Sequence, residues 1–251
     1  KDQYIILDYF ILDLKNKVIQ KYWNDMELED SFPDTIGSIK DIKIEKDGLN
    51  KNILIKTDNS DEVDVKIVID KNNKIVALKN DKVKNINNRF LSHNQVLTSL
   101  SLPNVNSVGN WFLGTNKNLI ELYAPNLTYV GNYFLPFNIA LTILSLPNLK
   151  SAEDNFLGTN KNLTELYAPN LTYAGKEFLF KNESLVTLFL QSLNSAGDKF
   201  LYFDKSLTTI DLPVLTKAGR YFCFRCNNIQ TANIPLMPEL EEKLKPNGKH
   251  I

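Results

Sequence analysis

Residues 112–133 read FLGTNKNLIELYAPNLTYVGNY, and residues 156–177 read FLGTNKNLTELYAPNLTYAGKE. They differ only at 120/164, 130/174, 132/176 and 133/177, so 18 of 22 positions are shared. The opening phenylalanine recurs at 90, 134, 178, 200 and 222, which makes seven units with a fixed 22-residue period. A period of this length marks a coil of stacked supersecondary units, each burying its apolar face against its neighbours.

Aligned on Phe, the unit reads F-L-x-x-N-x-x-L-x-x-L-x-L-P-N-L-x-x-(V/A)-G-x-x. The L-x-L centre alternates as a short strand with one buried face, so stacking predicts a parallel sheet with one strand per turn. Proline after it (Pro103, Pro125, Pro147, Pro169, Pro213, Pro235) has no N–H for the ladder and ends the strand. Gly109, Gly131, Gly175, Gly197 and Gly219 suit a tight bend or a close neighbouring backbone. Phe and the second Leu fill the interior on the return side. The fifth position is Asn94, Asn116, Asn138, Asn160, Asn182, Asp204 and Cys226, where an amide can serve buried turn groups.

Working outward, Ile75, Leu78, Val83 and Ile86 fit one more, degenerate unit with polar Asn80 and Asp81 at its thirteenth and fourteenth positions. The pattern decays after Pro235 into Pro238-Glu-Leu-Glu-Glu-Lys-Leu, which reads as a short capping helix. In residues 3–23, Tyr4, Leu7, Ile11, Leu14 and Val18 fall at helical spacing and predict an amphipathic helix. Ile39–Glu45, Ile53–Thr57, Val63–Ile69 and Lys74–Leu78 read as strands joined by turns at 46–49 and 70–73. The expected fold class is therefore an α/β-type repeat solenoid with a parallel sheet on one face and a small α+β N-terminal cap. The expected division is a capping unit over 1–66, a solenoid over 67–243 and a C-terminal tail over 244–251.

These residues resemble the BspA-like, Treponema-type leucine-rich repeat family. That family has a proline after the L-x-L strand, a Val/Ile-Gly pair, an Ala-Phe pair and Cys or Asn three residues later. Here Phe-Leu stands in place of Ala-Phe, and the unit is one residue shorter. The resemblance covers roughly residues 68–243. It implies a bacterial (or protist) surface or secreted protein engaged in adhesion and host contact, and it brings no family active site.

Charge is balanced, with 29 basic and 29 acidic residues in 251, which argues against a nucleic-acid partner. Residues 1–66 carry 10 basic and 15 acidic side chains, a net of −5, so the remainder is +5 and the two parts attract. No apolar run is long enough to span a membrane. No cofactor and no metal is expected. Cys223-Phe-Arg-Cys226 has the spacing of redox or metal motifs, but both cysteines occupy buried repeat positions and read as small hydrophobes. His93 takes an outward turn position. Asp58–Asp64 lacks the glycine and the bidentate glutamate of a calcium loop. Asn126, Asn162, Asn170 and Asn182 open N-x-(S/T) sequons, most of which the repetition itself accounts for: Asn126 and Asn170 in the repeated P-N-L-T, Asn182 at the turn position.

Outward positions of the strands carry the candidate ligand-binding residues: Glu121, Tyr123, Ile143, Ser145, Glu165, Tyr167 and Phe189. Exposed aromatics flanked by carboxylates are the usual make-up of a recognition hot spot. Duplication alone also explains the repeated tyrosines. Phe180, Tyr202, Phe203 and Phe224 form a second row, at the turn edge, that either stabilises the turns or supports self-association. The reading is a non-catalytic binding module whose partner is a protein, with a glycan as the alternative. Its rivals are a targeting arm of a longer protein and an enzyme with chemistry in the first 66 residues, where Asp8 and Asp13 are the carboxylates to watch.

Overall fold

The computed structural model describes the backbone of residues 4–6, 10–13 and 18–21, and residues 39–57 and 62–244 in full. The helix expected over 3–23 is not formed. Tyr4–Ile6 (β1), Phe10–Asp13 (β2) and Val18–Lys21 (β3) make an antiparallel three-stranded sheet. The helical spacing was real, but the apolar residues also cluster in short runs, Tyr-Ile-Ile, Phe-Ile-Leu and Val-Ile. Runs of aromatic and β-branched side chains favour extended backbone.

The four strands expected next are present as Ile39–Asp47 (β4), Asn50–Thr57 (β5), Val65–Ile69 (β6) and Ile75–Asn80 (β7), paired antiparallel in order. Gly48 turns β4 into β5 with φ +59, a conformation that glycine adopts without a Cβ penalty. The Asp70 carboxylate holds the β6–β7 turn by accepting from the Asn72 and Lys74 backbone N–H groups at 2.8 and 2.9 Å. β7 is also the strand of the degenerate unit. It pairs parallel with Ser99–Ser101 (β9), placing Leu78 beside Leu100, so capping strands and repeats share one sheet. The residue 66/67 boundary falls inside β6.

In the repeats the L-x-L segments form β9, Glu121–Tyr123 (β11), Ile143–Ser145 (β13), Glu165–Tyr167 (β15), Thr187–Phe189 (β17), Thr209–Asp211 (β19) and Thr231–Asn233 (β21). Their ladder is interrupted twice, between β11 and β13 and between β17 and β19. A second parallel sheet, which the sequence pattern does not announce, runs without interruption on another side of the coil. Its strands are the x-(V/A) pairs Asn85–Ile86 (β8), Ser107–Val108 (β10), Tyr129–Val130 (β12), Ser151–Ala152 (β14), Tyr173–Ala174 (β16), Ser195–Ala196 (β18) and Lys217–Ala218 (β20).

The glycine that follows five of these seven pairs (Asn87 and Glu153 follow the other two) allows close approach. A Cβ on Gly219 would stand 2.4 Å from backbone atoms of Gly197 and Asp198, and one on Gly175 2.6 Å from the Glu153 carbonyl carbon. The return side is a third hydrogen-bonded layer of a different kind. The residues flanking Phe alternate into left-handed backbone, as in Trp111 (φ 59), Leu113 (φ 51) and Thr115 (φ 61), and the same triplet recurs in all seven units. Alternation turns successive bonded peptides in opposite directions. Trp111 and Thr115 donate forward to the Asn132 and Pro136 carbonyls, both at 2.8 Å, whereas Leu113 donates back to the Phe90 carbonyl at 3.0 Å. Left-handed backbone costs roughly 1–2 kcal/mol at each non-glycine residue, which the inter-repeat hydrogen bonds and the buried Phe and Leu side chains offset.

Phe90, Phe112, Phe134, Phe156, Phe178, Phe200 and Phe222 stack along the axis, with centroids 4.6 to 5.8 Å apart and planes within 16°. Beside them the fifth-position amides act as expected. Asn182 Nδ2 donates to the Leu157 carbonyl at 2.9 Å and Asn160 Nδ2 to the Leu135 carbonyl at 2.9 Å. The Oδ1 of Asn182 accepts the Asn160 backbone N–H at 3.1 Å and that of Asn160 accepts the Asn138 N–H, whereas those of Asn116 and Asn138 meet no donor among the described residues. In the degenerate unit Asn80 is buried and folds its own turn, accepting from Lys82 and Val83. The coil ends on Pro238–Leu244 (α1), whose Leu244 is buried and whose Glu241 accepts the Ile234 backbone N–H at 2.7 Å.

Candidate functional site

The strand face places the candidate residues on the outward side of β11, β13, β15 and β17, because alternation along L-x-L leaves positions ten and twelve outside. Ile143, Tyr123, Tyr167 and Phe189 are 57, 52, 40 and 39 % exposed, large values for side chains of their kind. Glu121 and Ser145 are exposed and Glu165 is half-buried. Tyr167 and Phe189 lie in register on adjacent strands and meet edge to face, with ring centroids 5.6 Å apart. Ile143 pairs with Glu165 and Ser145 with Tyr167. Five of the seven residues therefore sit on one three-stranded sheet. Glu121 and Tyr123 lie across the ladder break, on the sheet that continues into the capping strands. There they line a shallow hollow of about 300 Å³ together with Lys66 and Lys79 from β6 and β7. The cap thus adds Lys66 to the rim of the face, and the degenerate unit adds Lys79, which is paired with Asp81 at 2.8 Å.

The turn-edge row is assembled within the chain. Phe180, Tyr202 and Phe224 stack face to face at 5.3 and 5.1 Å, and Phe203 leans on both Tyr202 and Phe224. Each of the four is half-buried. Most of their ring area is already used, as expected of a column that stabilises turns.

Sequence reading missed a tyrosine pair on the second sheet. Tyr129 and Tyr173 flank Ser151 in register, and both side chains are exposed by about two-fifths. Burial of their inner edges pushes both phenols above the usual range, and the nearby Glu153 charge pushes them further. Glu153 stands where other units carry glycine. The repeated P-N-L-T-Y was the available signal.

Other candidates become structural. Cys223 and Cys226 are not free hydrophobes, as the sequence reading had them, but are joined in a disulfide, with Cα atoms 5.4 Å apart. They are buried as expected. The left-handed backbone at Cys223 and Arg225 closes the turn tightly enough to bring the sulfurs together. His93 is exposed, with its ring Nδ1 2.7 Å from the Thr115 hydroxyl. Asn126, Asn162 and Asn170 donate to carbonyls one unit back, and Asn182 is fully buried. Asp64 is buried against the Thr57 hydroxyl at 2.7 Å, while residues 58–61 of the acidic loop lie outside the described residues. So do Asp8 and the side chain of Asp13. Among the described residues no group of His, Cys, Asp and Glu is arranged to hold a metal, and no helix is long and apolar enough to cross a membrane.

The family comparison agrees with this architecture. The model of the BspA type leucine rich repeat region matches in six copies over residues 69–186 and 138–243. No curated protein matches the chain. Among solved structures, a leucine-rich repeat protein from Bacteroides ovatus ATCC 8483 is 17% identical, with a TM-score of 0.46. The match covers 61% of this chain and 47% of that one, so this chain spans about half the length of that protein. With most of its length matched by the family model, the chain belongs to the BspA-type leucine-rich repeat family.

Proposed function

We propose that this chain is a non-catalytic binding module that recognises a protein partner through its strand face, and that it works at the cell surface or outside the cell. The observation that carries the reading is the row of Tyr123, Ile143, Tyr167 and Phe189 standing exposed on short parallel strands. Apolar side chains held out on a hydrogen-bonded scaffold lose little freedom on binding, and aromatic anchors ringed by polar groups dominate interface energies. Glu121, Glu165 and Ser145 supply the polar surround, with Lys66 and the Lys79–Asp81 ion pair bordering it at one end. Family membership supports a repeat-based binding role. The Cys223–Cys226 bond supports an oxidising compartment, since disulfides persist there and are rare in the cytosol.

The test is a chain carrying Tyr123→Ser, Tyr167→Ser and Phe189→Ser together, compared with the parent on an array of immobilised extracellular proteins and glycans. The expected result is selective loss of a protein ligand with an unchanged melting curve. A ligand that binds both chains equally rules this surface out, and a glycan lost in its place moves the reading to carbohydrate. Protease treatment of intact source cells, followed by blotting for the chain, tests the compartment.

A further inference from the structure

The coil carries a second concavity, away from the strand face. It is an open groove of about 830 Å³ across four consecutive units. Its length follows the fourth repeat position, Phe137, Thr159, Lys181 and Phe203, so at about 4.8 Å per unit it extends roughly 14 Å. One wall is the stacked pair Phe180 and Tyr202; the other is the sixth-position row Lys161, Glu183 and Lys205. The groove exists because unit 156–177 has glycine and threonine where its neighbours have large side chains, and the space beside Gly158 is open.

Four lysines and a single acid line it, in a chain whose total charge is zero. Lys199 is taken by Glu177 at 2.6 Å, and Lys205 reaches Glu183 at 3.5 Å. Lys161 and Lys181 are exposed and have no carboxylate partner among the described residues.

The rings decide the class of ligand. Phe180 and Tyr202 spend faces on each other, Lys181 lies over Phe180 at 5.0 Å, and Arg225 and Lys205 lie over Phe203 at 5.2 and 5.9 Å. A sugar chain or a single-stranded nucleic acid, which stacks unit after unit on free ring faces, finds only Phe137, 46 % exposed, without a ring or cation partner among the described residues. What remains on offer is ammonium groups and one apolar anchor. We propose that this groove binds a short acidic peptide segment of a protein partner, of about four extended residues at ~3.3 Å each. Its carboxylates pair with Lys161 and Lys181, and one apolar side chain packs on Phe137. The site is separate from the strand face and adds a second point of attachment.

The experiment uses fluorescence anisotropy of a labelled Glu-Glu-Phe-Glu-Glu peptide with the whole chain, alongside its glutamine counterpart, a heparin oligosaccharide and an oligothymidylate. Expected is saturable binding of the acidic peptide that weakens with salt. It should fall by about tenfold or more in Lys161→Glu/Lys181→Glu, a loss typical of reversing two charge partners. Phe137→Ser weakens it independently, and the triple serine variant of the strand face leaves it unchanged. Undetectable peptide binding overturns the proposal. So does equal binding of the glutamine peptide, unchanged affinity in the variants with intact melting curves, or tighter binding of heparin or oligothymidylate.

Discussion

The Asp204 carboxyl accepts the Asn182 backbone N–H through Oδ1 at 2.8 Å, while its Oδ2 meets no donor in a fully buried setting. The four units before it have an amide here, Asn116, Asn138, Asn160 and Asn182, whose Nδ2 donates to a carbonyl 25 residues back. An oxygen in that place suits the ladder only when it carries a proton. Burial, opposed by the Asn182 bond and joined by the Glu183 charge, holds the acid well above the usual carboxylate range.

Asp204→Asn therefore stabilises the chain at neutral pH, by roughly 1–3 kcal/mol for a restored buried donor. The sign follows from linkage. The folded state holds the proton more tightly than the unfolded chain, whose aspartate titrates near 3.9. Stability supplied by the protonated acid is thus full below that value and is lost as pH rises through the raised folded pKa. Melting curves between acid and neutral pH check this: the parent loses stability over that window relative to Asp204→Asn. Parallel curves would show that Asp204 titrates in the folded chain as it does in the unfolded one, and would overturn this account.

Gly219→Ala disrupts the second sheet, because the added Cβ meets the Gly197 and Asp198 backbone at 2.4 Å, besides the Asp198 Oδ1 at 2.6 Å. Overpacking of this kind costs about 1–3 kcal/mol. Gly158→Ala, whose Cβ would stand 3.9 Å from its nearest neighbour, serves as the tolerated control. Urea midpoints of the two variants separate a steric requirement from a general preference for glycine.

Thr159 is β-branched and left-handed, with φ 63. Replacing it with Asn or Gly relieves a conformational cost of roughly 1–2 kcal/mol, less what glycine loses in entropy. Both variants are expected to melt higher than the parent. A lower midpoint for both would mean that the threonine backbone is not strained in this layer.

The Cys223–Cys226 bond predicts that the native chain gives no thiol reaction under denaturing, non-reducing conditions and two equivalents after reduction. Mass spectrometry after alkylation reads this directly. Two modified cysteines without reductant would overturn it.

Much of this was legible in the chain, for identifiable reasons. A strict period fixes which side chains face inward, so the Phe column, the asparagine ladder and the outward Tyr167 and Phe189 follow from register alone. The second sheet was hidden because its strands, such as Tyr129–Val130, are two residues long and show no alternation. The left-handed triplets were hidden because Leu113 and Thr115 carry no local sign of positive φ; neighbouring units impose it. The N-terminal helix failed where one set of apolar residues, Tyr4, Ile11 and Val18, satisfies helical spacing and also falls within short apolar runs, and strand pairing decides between them. The groove at Gly158 needed neighbours two units away.

The two sides of the coil also differ in how their ladders are joined. The x-(V/A) sheet runs from β8 to β20 without a gap, while the strand face is broken beside Tyr123 and again after Phe189. Bending therefore meets two continuous ladders, this sheet and the left-handed return layer, and one jointed face. The joints at 123/145 and 189/211 are where the face with the exposed aromatics can change curvature without breaking a strand-to-strand hydrogen bond.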